Sequence, residues 1–504
     1  MKKINYRIAS LLVLTSVVFT GISCSDDDNN NTTPVVTVPD VNFTALSNNN
    51  AIVKYNAQNL NTPISSKAIT GLAAGETITS IDYRPATGQL YGLGSTSRLY
   101  FINEESGLAT PLGAAAFTPA VTGTNASINF NPMVDRVRLV TESGQNLRLH
   151  PELGTVAATD TNISGTNSEI GAVAYTNSVV GTTSTVLFDI DFATDKLYIQ
   201  NPPNNGTLEA VGDLTIDFEG VGDMDILPDN SQAFAVTYDA NVSSIFKINL
   251  ETGKAQNIGT FAQPIIGIAF KTNPIAYAIT SANELFRFNP ITGASTAVAI
   301  TGTATGETVV GLDFRPATGQ LYGVTNQSRI VTFNTASGAA SVVGAGFTPA
   351  LSGTTFGFDF NPTVDRIRLV SDTGQNLRLH PDLGTVAATD GNLNPGTPSI
   401  NGAAYTNSFA ASTTTTLFVI DSVTNMLYTQ NPPNAGTLIP VGALGVDVDA
   451  DSGFDIGGSS GVAFGLLKVG GTTSVYSINL TTGAATKVKD ISVNATAMTV
   501  GLGF

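Results

Sequence analysis

Apolar and polar residues alternate along this chain in short runs, and one four-residue pattern keeps returning: small, apolar, variable, then aromatic or aliphatic. It reads Ser80-Ile81-Asp82-Tyr83, Ser127-Ile128-Asn129-Phe130, Ala172-Val173-Ala174-Tyr175, Asp223-Met224-Asp225-Ile226 and Gly267-Ile268-Ala269-Phe270. It continues as Gly311-Leu312-Asp313-Phe314, Gly357-Phe358-Asp359-Phe360, Gly402-Ala403-Ala404-Tyr405, Gly453-Phe454-Asp455-Ile456 and Gly501-Leu502-Gly503-Phe504. Successive third positions lie 44 to 51 residues apart, close to the ~40–45 residues of a propeller blade. After each one come β-branched and aromatic runs separated by Gly, Asn, Asp and Thr turns, as antiparallel hairpins require. The unit from Ser80 passes through Leu90-Tyr91-Gly92 and Leu99 to Ile102 to Ala109 to Leu112, which predicts four strands. No segment sustains a 3.6-residue apolar period, so the expected fold is all-β: a β-propeller of ten four-stranded units.

The period sits inside a duplication. Arg84 to Gly92 returns unchanged as Arg315 to Gly323, and Gly144 to Pro151 as Gly374 to Pro381. An LGTVAATD run follows both times (Leu153 to Asp160, Leu383 to Asp390), and Gln200 to Asn204 returns as Gln430 to Asn434. Residues 43–270 and 271–504 are therefore read as two copies. The last pattern, Thr499 to Phe504, ends the sequence, while the start from Phe43 lacks an inner strand. Pairing of the C-terminal strand with the N-terminal blade would remove an open edge. The link Lys271-Thr272-Asn273-Pro274 spans at most ~14 Å, short for a domain boundary. That favours one ten-bladed ring over two five-bladed propellers.

The first residues look different. Lys2, Lys3 and Arg7 precede an apolar stretch from Ile8 to Thr20, too short for a membrane span and organised as a signal peptide. Gly21-Ile22-Ser23-Cys24 resembles a bacterial lipobox, making residues 1–23 the leader and Cys24 the lipidated residue. Cys24 is the one cysteine in the chain, so no internal disulfide can form. Residues 24–42 read as a polar tether with nothing to bury. Its Asp26 to Asp28 run resembles the surface-export signal of lipoproteins in Bacteroidetes-type bacteria. The expected address is the outer membrane, cell-surface exposed, with a periplasm-facing lipoprotein as the alternative. The lipid is the expected membrane contact. The formal charge is −16, and −19 once Lys2, Lys3 and Arg7 are removed, which repels nucleic acid.

The strings from Phe130 to Val140, GQNLRLHP from Gly144 and Gly374, and the YTNS before each QNPPN turn resemble a family of secreted bacterial proteins described as a domain of unknown function. That resemblance implies a β-propeller and covers both copies. It brings no activity and no catalytic residues.

Candidate chemistry concentrates in one hairpin and its copy. Arg136, Arg138, Arg148 and His150 recur as Arg366, Arg368, Arg378 and His380, which include both histidines of the chain. With a three-residue loop and Gly144 left-handed, Thr141 faces Gln145, Arg138 faces Arg148 and Arg136 faces His150. Such a cluster needs acids, expected from the neighbouring blade (Asp82, Asp135, Asp313, Asp359 or Asp365), or a bound carboxylate, sulfate or phosphate. Inner-strand acids Asp82, Asp225, Asp313, Asp359 and Asp455 form a second group able to hold backbone N–H bonds or a cation. Asp447, Asp449 and Asp451, followed by Gly453, have the acid spacing of a Ca2+ loop but lack its closing glutamate. The expected reading there is a solvated acidic turn.

Two function classes remain: a non-catalytic binding or scaffold propeller for protein or glycan, and an extracytoplasmic lyase or glycosidase using the Arg/His hairpins on acidic polysaccharide. An open cleft of convergent polar groups would mark the second.

Overall fold

The computed structural model describes residues 38–164 and 168–504; Cys24, the leader and Asp26 to Asp28 lie outside them. The described residues hold forty strands, β1 (Asn42–Ser47) to β40 (Ala495–Val500), arranged as ten four-stranded antiparallel sheets with no α-helix. The inner strand of each sheet is almost continuously buried because it is covered on both faces. All six residues of β12 (Ile170–Tyr175) are buried, whereas β15 (Leu208–Asp213), the outer strand of that sheet, has none buried. Between sheets the side chains interlock, as where Tyr91 meets Phe130 of the next sheet edge-on at 4.9 Å between centroids.

The third position of the repeating pattern stitches neighbouring sheets. Asp82 on β4 (Ile78–Tyr83) accepts the N–H of Phe130 on β8 (Ala126–Asn131) at 2.7 Å. Asn129 accepts that of Tyr175 at 2.8 Å, and Asp225 on β16 (Val221–Ile226) that of Phe270 at 2.6 Å. The second copy repeats the scheme: Asp313 to Phe360 at 2.7 Å, Asp359 to Tyr405 at 3.0 Å, Asp455 to Val500 at 2.6 Å. Each side chain thus holds the fourth pattern position of the next inner strand. This bond corrects the tenth repeat. Its third and fourth positions are Thr499 and Val500, and Gly501 to Phe504 lie beyond the strand.

Closure also differs from the single ring expected. β20 (Ile265–Ala269) pairs with β1, Thr44 opposite Ala269. β40 pairs with β21 (Ala276–Thr280), Ala276 opposite Val500, and not with the N-terminal blade. Inner strands β4, β8, β12, β16 and β20 contact one another in that order and back to β4. A second circuit runs through β24 (Val309–Arg315), β28 (Phe356–Asn361), β32 (Ile400–Tyr405), β36 (Gly453–Ile456) and β40, and back to β24. The sheets therefore close as two rings of five.

The short link is no obstacle. In each ring the chain break falls where other sheets have the turn from first to second strand. Residues 271–274 carry the chain from the first strand of one such sheet to the second strand of its counterpart, so the two rings meet on their turn faces. Contacts there include Tyr277 OH to the Ala86 carbonyl (2.9 Å), Arg84 Nη1 to that of Gly319 (3.0 Å) and Gly503 N–H to that of Thr87 (2.8 Å).

Candidate functional site

The arginine hairpin folds in the expected register. β9 (Arg136–Thr141) and β10 (Asn146–Leu149) set Arg138 opposite Arg148, Gly144 has φ +81°, and Thr141 N–H donates to the Gln145 carbonyl. Asp160, which ends the LGTVAATD run, neutralises the pair. It accepts Arg138 Nη1 at 2.7 Å and Arg148 Nε and Nη2, each at 2.8 Å. Burial alone would raise its pKa, but the bonds from Arg148 and Arg138 hold it below the usual carboxylate range. Arg138 is buried and also donates to Asn146 (2.7 Å), to Asn204 of the next sheet (2.8 Å) and to the Tyr175 hydroxyl (3.3 Å). The copy repeats this: Arg368 donates to Asp390, Asn376 and Asn434, and Arg378 is bidentate to Asp390. The partner acid thus comes from the same sheet, not from the neighbouring one. Asp160 sits opposite Asn146 on the face that carries both arginines, so its position in the repeated run was the available signal.

Arg136 Nη2 lies 3.4 Å from His150 Nε2, and His150 Nδ1 lies 3.2 Å from Glu152. Glu152 in turn contacts Arg84, which the sequence had not marked as charged machinery. Arg84 is fully buried, with Nε donating to Asp135 at 2.8 Å, and Thr335 of the second ring donates to Asp135 at 2.8 Å. Burial pushes Glu152 up, and the Arg84 charge overrides that to hold it at about 2. In the copy, Arg315 pairs with Asp365 and Asp382, which are 36% and 57% exposed. Arg366 donates to the Asp365 carbonyl, and His380 Nδ1 accepts the Asp382 N–H at 3.3 Å. The same constellation is sealed by the partner ring in one copy and open in the other.

Inner-strand acids converge in the second ring. Asp313, Asp359 and Asp455 are buried, with one carboxylate oxygen of each lying within 4.8 Å of the other two. Three charges there require protons or a cation. Burial, then the charges of its neighbours, pushes Asp359 well up; burial raises Asp455 to about 6. In the first ring Asn129 occupies the place of Asp359, and its amide donates to Asp225 at 3.3 Å. Burial raises Asp225 to about 7.

The Asp447, Asp449 and Asp451 carboxylates do not converge. They are exposed and turn to Asn425 (2.8 Å), the Gly471 N–H (3.2 Å) and Lys468 (3.2 Å) respectively.

One further group went unmarked in the sequence. Arg287 and Thr272 help to line a cavity of about 360 Å³ where the rings meet. The available signal was an alignment of the copies, which sets Thr335 and Ala336 against Glu104 and Glu105.

The fold and these sites define an all-β protein of tandem halves, each a cycle of five small sheets. The chain belongs to the family described as a domain of unknown function (DUF4394), whose model matches residues 51–269 and 284–501. No curated protein matches it. Among solved structures it is similar to a B. thetaiotaomicron chain described as the extracellular domain of a one-component system, at 13% identity and TM-score 0.26 over 89% of this chain and 64% of that one. A second, described as the extracellular domain of a hybrid two-component system of that organism, gives 12% and 0.26 over 88% and 69%. The chain spans less than two thirds of the first of these.

Proposed function

We propose that this is a lipoprotein anchored through Cys24 and displayed at the cell surface, whose two rings are five-bladed β-propellers forming a non-catalytic binding or scaffold module for a protein or glycan. The observation that carries the reading is the internal use of the charged hairpins. A lyase or glycosidase working through them needs guanidinium and imidazole groups free to meet substrate. Arg138 and Arg368, each 2% exposed, instead direct their donors to Asp, Asn and Tyr side chains of their own and the next sheet.

The test has two arms. Intact cells treated with protease should lose the wild-type protein. Cys24→Ala should leave the membrane fraction, and replacement of Asp26 to Asp28 by alanine should protect the protein from protease. Purified protein should release no reducing ends from alginate, polygalacturonate or chondroitin sulfate, yet be retained on a glycan or surface-protein array. Turnover of any of these polymers that is lost in Arg136→Ala/His150→Ala would overturn the non-catalytic reading.

A further inference from the structure

Duplication supplies a control within the chain. In the first copy Lys54, on β2 (Ala51–Asn56), meets Glu104 at 3.1 Å and Glu105 at 3.9 Å, and Lys271 of the link reaches Glu104 at 3.0 Å. Arg287, on β22 (Glu284–Phe288), stands in the place of Lys54. The match is fixed by Asn50 and Asn283, whose side chains each accept the first N–H of the following sheet, from Ile78 and Val309. Where the first copy has its two glutamates, the second has Thr335 and Ala336. The cation was kept and its counter-ions were lost.

Arg287 is nonetheless 6% exposed. Its Nη1 donates to the Thr335 and Ala336 carbonyls at 3.2 and 3.1 Å, its Nε has no acceptor, and no carboxylate among the described residues pairs with it. Burial pushes its pKa below the ordinary arginine value, opposed by the Tyr277 phenol alone. A buried guanidinium with neither counter-ion nor full hydrogen bonding is strongly unfavourable unless something else supplies the anion.

The surroundings are built to admit one. Arg287 lines the cavity of about 360 Å³ at the ring junction, a volume in the range of small-molecule sites. Pro85, Ile275 and Phe288 are buried and give it an apolar floor, while Asn273, Ser295 and Thr296 are exposed at its mouth. Buried Thr272, also in the lining, has a hydroxyl without a partner. Gly181 keeps the guanidinium clear. Its φ is +80°, and a Cβ there would stand 2.4 Å from Thr296 Oγ1 and 3.3 Å from the Arg287 guanidinium. The second copy places Ala411 at this point, with φ +62°. Its adjacent residues Phe409 and Ala410 help to line a space of only about 30 Å³ against the first ring.

We propose that the junction cavity binds a small organic carboxylate with an apolar body, the carboxylate pairing with the Arg287 guanidinium through Nη2. Among the described residues Nη2 donates to no protein acceptor, and a charge-assisted hydrogen bond from a guanidinium to a carboxylate is among the stronger polar contacts. The site draws on both rings and on the link between them, so an occupant bridges the two halves of the molecule. The proposal rests on the binding-module reading and specifies its ligand.

Titration calorimetry and thermal shift on the full-length protein in detergent test it, with hexanoate, benzoate, phenylacetate and glucuronate as probes. Hexanamide, benzamide and inorganic sulfate serve as controls. At least one carboxylate should bind and raise the melting temperature while its amide and sulfate do not. Arg287→Gln should weaken binding about tenfold or more, since hydrogen bonds to a charged group are lost. Ser295→Trp, which crowds the mouth and leaves Arg287 in place, should do the same and keeps the test open should Arg287→Gln not fold. Ala336→Glu restores the glutamate of the first copy, so it should compete internally and abolish the response. No shift with any carboxylate, an equal shift with sulfate, or a carboxylate response unchanged in Arg287→Gln or Ser295→Trp would overturn the proposal. Polysaccharide turnover by the wild type would instead overturn the non-catalytic reading, and it is measured without reference to Arg287.

Discussion

Asp160 is shared by two guanidinium groups of unequal standing. Arg148 is a third exposed and gives two bonds to this one carboxylate, whereas Arg138 is buried and ties Asp160 to Asn146, Asn204 and Tyr175. Arg138→Ala should therefore cost about 3–5 kcal/mol, because it leaves buried polar partners unmatched. Arg148→Ala should cost only about 1 kcal/mol, since Asp160 keeps Arg138 and the lost pair faces water. Urea unfolding of the two variants checks the order, and equal losses would refute it. The buried inner-strand acids of both rings make a pH prediction. Folded-state pKa values raised above the unfolded ones, to about 6 for Asp455 and about 7 for Asp225, mean that the folded protein binds the extra protons. Their stabilising contribution is full below about pH 4 and is lost as pH rises to about 7, at up to ~1.4 kcal/mol per pH unit for each group. Asp359→Asn copies Asn129 into the second ring, so it should flatten this fall and raise stability at pH 8 by about 1–3 kcal/mol. A variant less stable at pH 8, with wild type sensitive to EDTA, would show that the trio holds a cation instead.

Among the elements, the closing strands carry the sharpest expectation. Removing Ala495 to Phe504 leaves β21 without its inner neighbour and breaks the second circuit, while β20 still completes the first. Calorimetry should then show one cooperative transition near the wild-type temperature, belonging to residues 38–270, and loss of the remainder. Loss of all cooperative unfolding would mean that the halves stand or fall together. The strands themselves were legible because a covered inner strand and a half-exposed outer one leave different apolar patterns. The hairpin register was legible from Gly144. Closure was not, because β1 and β21 present similar small and apolar faces, and nothing local in β20 or β40 says which to join. Nor was Asp160 found, since its contact with Arg138 skips a strand. The tenth repeat misled for a related reason: Gly501 to Phe504 has the right letters, but the register belongs to the N–H that Asp455 can reach.

At the scale of the molecule, two copies of one unit meet on their turn faces, and the encounter treats them unequally. Ring two covers Arg84, Asp135 and Glu152, whereas Arg315, Asp365 and Asp382 keep access to solvent. The junction cavity repeats the inequality, with Lys54 neutralised and Arg287 left without a counter-ion. The sealed cluster has a consequence for inheritance. Tandem copies are prone to gene conversion, which would overwrite one half with the other. Here that exchange is not neutral: importing Asp382 at position 152 would put a shorter acid into a buried site and draw it back from Arg84, while the reverse change would be absorbed at an open surface. The first half is thus held by its neighbour against homogenisation, and the second is the half free to diverge.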